Sequence, residues 1–554
     1  MTNSIDHTTS ESTEPSRRRK WWGFTFLAFS LLVIALDLSI ADVTLPSIVR
    51  DLGISADSAS LIITVYMVVA ASFMVLMGRV SDLVGAKKAF LVGAVLFGVG
   101  SAITGIANDL GMLMAGRSMQ GLVMAIAIPA SMSLLNHEFP DGRERVLAFS
   151  IWTAVIGSAM ALGPMIGGLL STYFSWRWAF WMNVPIMIVG IIGVYYLVRP
   201  IGRGERTGKF DILGSLLLVV GLALVVFGLQ EAPSLGWWTA KSDYVLNGAI
   251  SWPFTISPVP IVVLLGILLL VLFARYEIRL NRKGRDSVLA FSLFRVPSFT
   301  WGTSAAAAMT AGVFGLLLLI PLYAQFVLDQ NPLGAGVILA PLGVGMALGG
   351  PIVARFEVSP VRAALVCLII QPIATLSLIP LISAGGEGWW LAPALLVDGF
   401  AWGAAFSLLV SMLLADIPKE LSGVASGTQV AARLLAGAFA GALLTGLVLG
   451  SVGAKVQDIS QKNLTSTQQQ EITQLYEFQN ELVPPTTTSG QTASEAREIE
   501  VFDQIIEEVK EDMATGLRLA IGLAAIFCGT GVIFGLGLRR QEKREAKAQE
   551  TEPA

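Results

Sequence analysis

Four charged side chains in this sequence could do chemistry, and all stand inside apolar stretches. Asp37 and Asp42 occur in LDLSIADVTLP, Leu36 to Pro46, within the first long hydrophobic segment. Arg117 stands in LMAGRSMQG and Asp398 in LLVDGFAWG. A charge at the bilayer centre costs about 2.5–3.5 kcal/mol on insertion scales, so such residues face a partner or a water-filled cavity. A carboxylate in that setting can hold a proton or a cation. A nearby arginine favours its ionised form, and a low dielectric the neutral one. Five residues of separation turn Asp37 and Asp42 apart by about 140° on a helix, so the two need not share a partner. The expectation is that one stays ionised near Arg117 while the other exchanges protons and cationic substrate. Tyr66 offers an aromatic face for such a cation, with Trp152, Phe314, Tyr323, Phe400 and Trp402 as further candidates. Arg433, in GTQVAARLLAG, reads as structural, pairing a carbonyl or an acid near the cytoplasmic side.

Other chemistries lack their residues. His7 and His137 fall in a polar tail and a loop, and Cys367 and Cys528 in apolar runs, so neither a metal site nor a disulfide is expected. GRGERTGKF, Gly202 to Phe210, comes nearest to a phosphate-binding loop but has the wrong spacing and ends in Phe. An enzyme is therefore not expected, nor a cofactor, and any protonation switch must use carboxylates. Nothing resembles a basic nucleic-acid-binding face.

The elements that must position these charges are membrane helices. Of 554 residues 54 % are hydrophobic and 14 % charged, and the mean hydropathy is +0.69. Fourteen apolar segments long enough to span run from 22–47 to 514–538. Only helices or closed barrels satisfy their backbone groups in lipid, and these runs are too long and continuous for strands. The first segment follows a polar stretch without a cleavable site, so it is expected to be retained. Most Lys and Arg fall on one side of the bilayer, as in Arg17 to Lys20, Arg199 to Lys209 and Arg539 to Lys547, which puts both termini in the cytoplasm. The segment 451–513 is polar and acidic and reads as a solvated outer loop. Within it, Glu498–Asp512 has apolar residues at helical spacing, suggesting a short amphipathic helix.

Three further motifs complete a series. GRVSDLVGAKK, Gly78 to Lys88, makes a tight turn in which Asp82 can face a helix N-terminus or a base. GSAMALGPMIGG, Gly157 to Gly168, suits close helix approach and bending, and SWRWAFWMNVP, Ser175 to Pro185, is an interfacial aromatic belt. In this order, with the motifs around Asp37 and Arg117, they resemble the major facilitator superfamily, specifically its fourteen-span drug:proton antiporters. The resemblance implies an all-α polytopic membrane protein with two pseudo-symmetric six-helix bundles and two inserted helices. The divisions would be 1–20, cytoplasmic tail; 21–198, first bundle; 199–297, inserted pair with its loops; 298–538, second bundle with loop 451–513; 539–554, second tail. It implies proton coupling through Asp37 and Arg117, to which the residue reading adds Asp42. Asp37, Asp42, Tyr66 and Asp398 become substrate contacts; Asp398 would line the cavity because its helix corresponds to the one carrying Arg117. Gly78, Asp82, Gly85, Lys87, Gly163, Pro164, Gly167 and Gly168 form the gating motifs.

The sequence departs from the family where Ala86 stands in place of an arginine, only partly replaced by Lys87, and where Asp42 replaces the usual asparagine. The implied function is proton-driven export of cationic or amphipathic drugs by alternating access, by a monomer in the bacterial plasma membrane. The alternatives are a dedicated exporter of a small basic metabolite and a non-transporting receptor.

Overall fold

The computed structural model describes residues 17–54, 56–140, 142–200, 211–240, 244–245, 250–282, 288–356, 358–383, 385–460 and 493–551. Among them are 14 helical spans long and apolar enough to cross a membrane. In chain order the helices are α1 (Arg17–Leu52), α2 (Ala56–Val84), α3 (Ala86–Gly105), α4 (Leu110–Glu138), α5 (Gly142–Tyr173), α6 (Trp176–Trp181) and α7 (Asn183–Leu197), of which the last two make one span. Then follow α8 (Ile212–Leu235), α9 (Pro258–Arg282), α10 (Pro297–Leu322), α11 (Pro332–Val353), α12 (Pro360–Ser377), α13 (Ala392–Ala415), α14 (Ser422–Ser460) and α15 (Ala493–Thr551).

Local chemistry sets where these helices begin. Asp109, Asn331 and Asp211 accept hydrogen bonds from the backbone N–H three residues on, at 2.8, 2.8 and 3.0 Å, satisfying donors that a first turn leaves orphaned. Pro297, Pro332 and Pro360 stand at the first helical position, where a missing N–H costs nothing. Between α2 and α3 the chain reverses at Gly85 alone, whose φ of 93° is one that a side chain rarely tolerates.

Helices α1 to α7 pack into one bundle, with α1 on α5 and α7 and α4 on α2 and α3; α10 to α15 pack into the other, with α11 and α12 on α13 and α10 on α14 and α15. The two bundles meet along α5 against α11 and α2 against α14. The extra pair, α8 and α9, pack on each other, and α8 also lies against α2 and α14. There Thr64 of α2 donates to the Glu231 carboxylate at 2.7 Å.

Two expectations need correcting. The segment 451–513 is not wholly a loop: α14 runs to Ser460, and α15 begins at Ala493. Glu498–Asp512 is no separate helix but the start of α15, because its apolar spacing continues in phase into the span and buries Val509 and Met513. The chain also carries a two-residue hairpin, Tyr244–Val245 with Ile250–Ser251, between α8 and α9.

Candidate functional site

The charges of the first bundle form one buried cluster. Arg117 Nη1 of α4 lies 2.5 Å from Asp37 Oδ2 of α1, both without solvent exposure. The other carboxylate oxygen accepts from Gln120 Nε2 at 2.7 Å and from Asn183 Nδ2 at 3.0 Å. Both amides also donate to Ser101 of α3, at 3.0 and 3.2 Å. The Tyr66 ring covers the guanidinium, 4.3 Å from its carbon. Tyr66 thus walls the ion pair.

Small residues make this depth of packing possible. Arg117 and Gln120 share a helix face at i,i+3 spacing, flanked by Gly116 and Gly121. A Cβ on Gly121 would sit 2.5 Å from the Tyr66 carbonyl oxygen, and one on Gly116 would sit 2.2 Å from Thr104 Oγ1. Gly163 and Gly167 do the same for α1, facing Ser39 and Ile40 from α5; Gly168 touches Val43 more loosely. Gln120 and Asn183 are the members of this cluster that sequence reasoning missed. Both stand inside the quoted motifs, and an amide within a membrane span is the signal that marks them.

The remaining acids lie elsewhere. The side chain of Asp42 lies outside the described residues. Asp398 of α13 is fully buried and accepts from Thr375 of α12 at 2.5 Å. It therefore faces a neighbour in its own bundle rather than the space between bundles. The pseudo-symmetry holds for the helix, the fourth of its bundle like α4, but an intra-bundle orientation comes with it.

One face of the molecule, that of the Gly85 turn, is closed by contacts between bundles. Asp82 accepts from the backbone N–H of Gly423 and Val424 at 2.8 and 2.9 Å, capping the start of α14. Gly78 lets the helices touch, since a Cβ there would fall 2.3 Å from the Gly423 carbonyl oxygen. Asn136 donates to Ser422 Oγ at 2.7 Å, and Arg145 donates to the Ser411 carbonyl oxygen at 3.1 and 3.2 Å. Lys87 takes no part: it donates to the Tyr195 carbonyl oxygen at 2.7 Å within its own bundle. Pro164 meets Gly336 of α11, farther along the same seam. On the opposite face, Asp51 pairs with Arg177 and accepts from Trp176 Nε1. Those two donors hold its carboxyl below the usual carboxylate range.

Arg433 departs from its expected place. It lies at the middle of the span Lys419–Val448, because that helix starts several residues earlier than hydropathy places it. Its Nε donates to Thr310 Oγ1 at 3.2 Å, so the partner is a hydroxyl rather than a carbonyl or an acid.

Two six-helix bundles, an intervening helix pair, a buried Asp–Arg pair and a capped seam between bundles define a polytopic transporter rather than an enzyme. The model of the Major Facilitator Superfamily matches residues 27–441, and the chain belongs to that family. It is 34 % identical over 339 residues to the puromycin resistance protein pur8 of Streptomyces alboniger, covering 61 % of this chain and 62 % of that one. It is 30 % identical over 426 residues to a probable actinorhodin transporter of Streptomyces coelicolor, covering 75 % and 70 %. Among solved structures, the human organic anion transporter MFSD10 shares the fold, with a TM-score of 0.52 at 17 % identity over 78 % of this chain and 94 % of that one.

Proposed function

We propose that this protein is a proton-driven exporter of amphipathic, antibiotic-like compounds that works by alternating access, without a cofactor, as a monomer in the bacterial plasma membrane. The observation that carries the reading is the buried Asp37–Arg117 pair. Protonating Asp37 removes the charge that, among the described residues, pairs with Arg117 and leaves a cation uncompensated in a dry site, which is strongly unfavourable. A proton therefore changes the relative stability of bundle arrangements, and a ligand shifts that balance only by its differential affinity for them. The closed seam at Asp82 and Gly423 is one arrangement; its opening would be the other. The bias of Lys and Arg toward the Gly85 face supports a cytoplasmic position for that face and for both chain ends. In this orientation the described state is closed inward.

The antibiotic-linked names of the two bacterial relatives support the substrate class. The cationic part of the sequence reading now rests on Asp42 alone, since Asp37 is neutralised by Arg117 and Asp398 is enclosed in its bundle. Uptake of the neutral dye Nile red and of pyrenebutyrate into inverted vesicles tests the reading. Uptake should follow an imposed pH gradient, stop with a protonophore, and disappear in Asp37→Asn. Uptake indifferent to the gradient would sink it.

A further inference from the structure

A cation without a counter-ion stands at the seam of the two bundles. Arg433 of α14 has one hydrogen bond, to Thr310, and no carboxylate partner among the described residues. Its guanidinium carbon lies 4.0 Å from the Phe406 ring centroid. Phe406 in turn stacks on Trp402, with centroids 4.9 Å apart at 22°, and approaches Trp152 of the first bundle at 6.2 Å. Phe406 is fully buried, so Arg433 points inward; yet Arg433 retains partial solvent exposure at mid-membrane depth. Its remaining N–H groups therefore border an interior space.

A second observation points the same way. One turn earlier on the same helix face, Gln429 is fully buried and neither atom of its amide has a partner; the Trp402 indole N–H is also unpaired. Buried donors left without acceptors are costly and rare. Two unpaired buried donors, Gln429 Nε2 and Trp402 Nε1, together with a guanidinium lying over the Phe406 ring, suit an aromatic compound carrying an acid or another electron-rich oxygen. Guanidinium binds such a group through two parallel N–H bonds and stacks on a ring as ammonium does not.

We infer that Arg433, with Gln429, is the substrate-recognition site for the oxyanion or carbonyl end of an aromatic compound, so that the preferred cargo is acidic rather than cationic. This inference rests on the exporter reading above and deepens it.

The test uses full-length protein in inverted vesicles under a pH gradient, with pyrenebutyrate and pyrenebutylamine as matched probes. The acid should be transported about tenfold better than the amine, and Arg433→Gln should reduce acid transport by about tenfold, the scale of a lost charged hydrogen bond. Arg433→Lys keeps the charge but not the fork or the stacking, and should lose part of the acid's transport. It keeps the test sharp if the glutamine variant does not fold. Equal transport of the two probes, or acid transport unchanged in Arg433→Lys and Arg433→Gln, overturns the recognition site. Failure of wild-type protein to move either probe with the gradient overturns the exporter reading itself, and the site with it.

Discussion

Removing the charge from Arg117 or from Asp37 singly should cost more than removing both. Each single change leaves a charge buried with no partner, typically about 3–5 kcal/mol, whereas a doubly neutral pair is often tolerated. Unfolding of purified Arg117→Gln, Asp37→Asn and the double variant in detergent checks this. The double variant should regain much of the loss; simply additive losses would mean that the pair is not energetically coupled. At this scale the sequence exposes a charge set in a hydrophobic run, which is how Asp37 and Arg117 stood out. It does not show which acid meets the arginine, since two residues 140° apart on a helix, by about that angle, are told apart only by the packing of α1 on α4 and α7. Gln120 and Asn183 stayed unremarked because an amide carries no charge to single it out within an apolar run. Arg433 was misplaced because its depth depends on where α14 begins, and Ser422 starts that helix outside the apolar run.

The seam of α14 against α2 and α4 is held by polar contacts at one end, so it can be locked. With Asn136 and Ser422 both changed to cysteine, oxidation should join the bundles in the closed-inward arrangement and reduce export to background, and a reductant should restore it. Cys367 and Cys528 are buried and should not interfere. A cross-linked protein that still exports at the full rate would show that this seam does not open during transport. Helices were the most legible elements, because a continuous apolar run has few alternatives in lipid. The Gly85 turn was legible for a similar reason, being short and glycine-bounded. What Asp82 caps was not: its partners lie more than 340 residues away, and nothing local announces them. The start of α15 was split from its span because polar residues interrupt hydropathy without interrupting helical phase.

For the whole molecule, the charge bias predicts which way it faces. A single cysteine placed at Asp51 should react with an impermeant maleimide in intact cells, and one at Lys88 only after the membrane is opened. The reverse pattern would invert the transport direction assigned to the closed seam. The two-bundle plan was legible as a count of segments and an order of motifs, but the seat of α8 was not. Its contact with α2 rests on Thr64 and Glu231, two residues in separate spans whose pairing leaves no periodic trace.

The measurement that bears most directly on proton coupling is proton release by purified protein when pyrenebutyrate is added in weakly buffered solution. Wild-type protein should release protons on binding, with the signal falling as the pH rises and Asp37 is already ionised. Asp37→Asn should bind the probe with no release. Release of the same size from Asp37→Asn would show that the exchanging proton resides elsewhere, and the Asp37–Arg117 pair would then be only part of the scaffold.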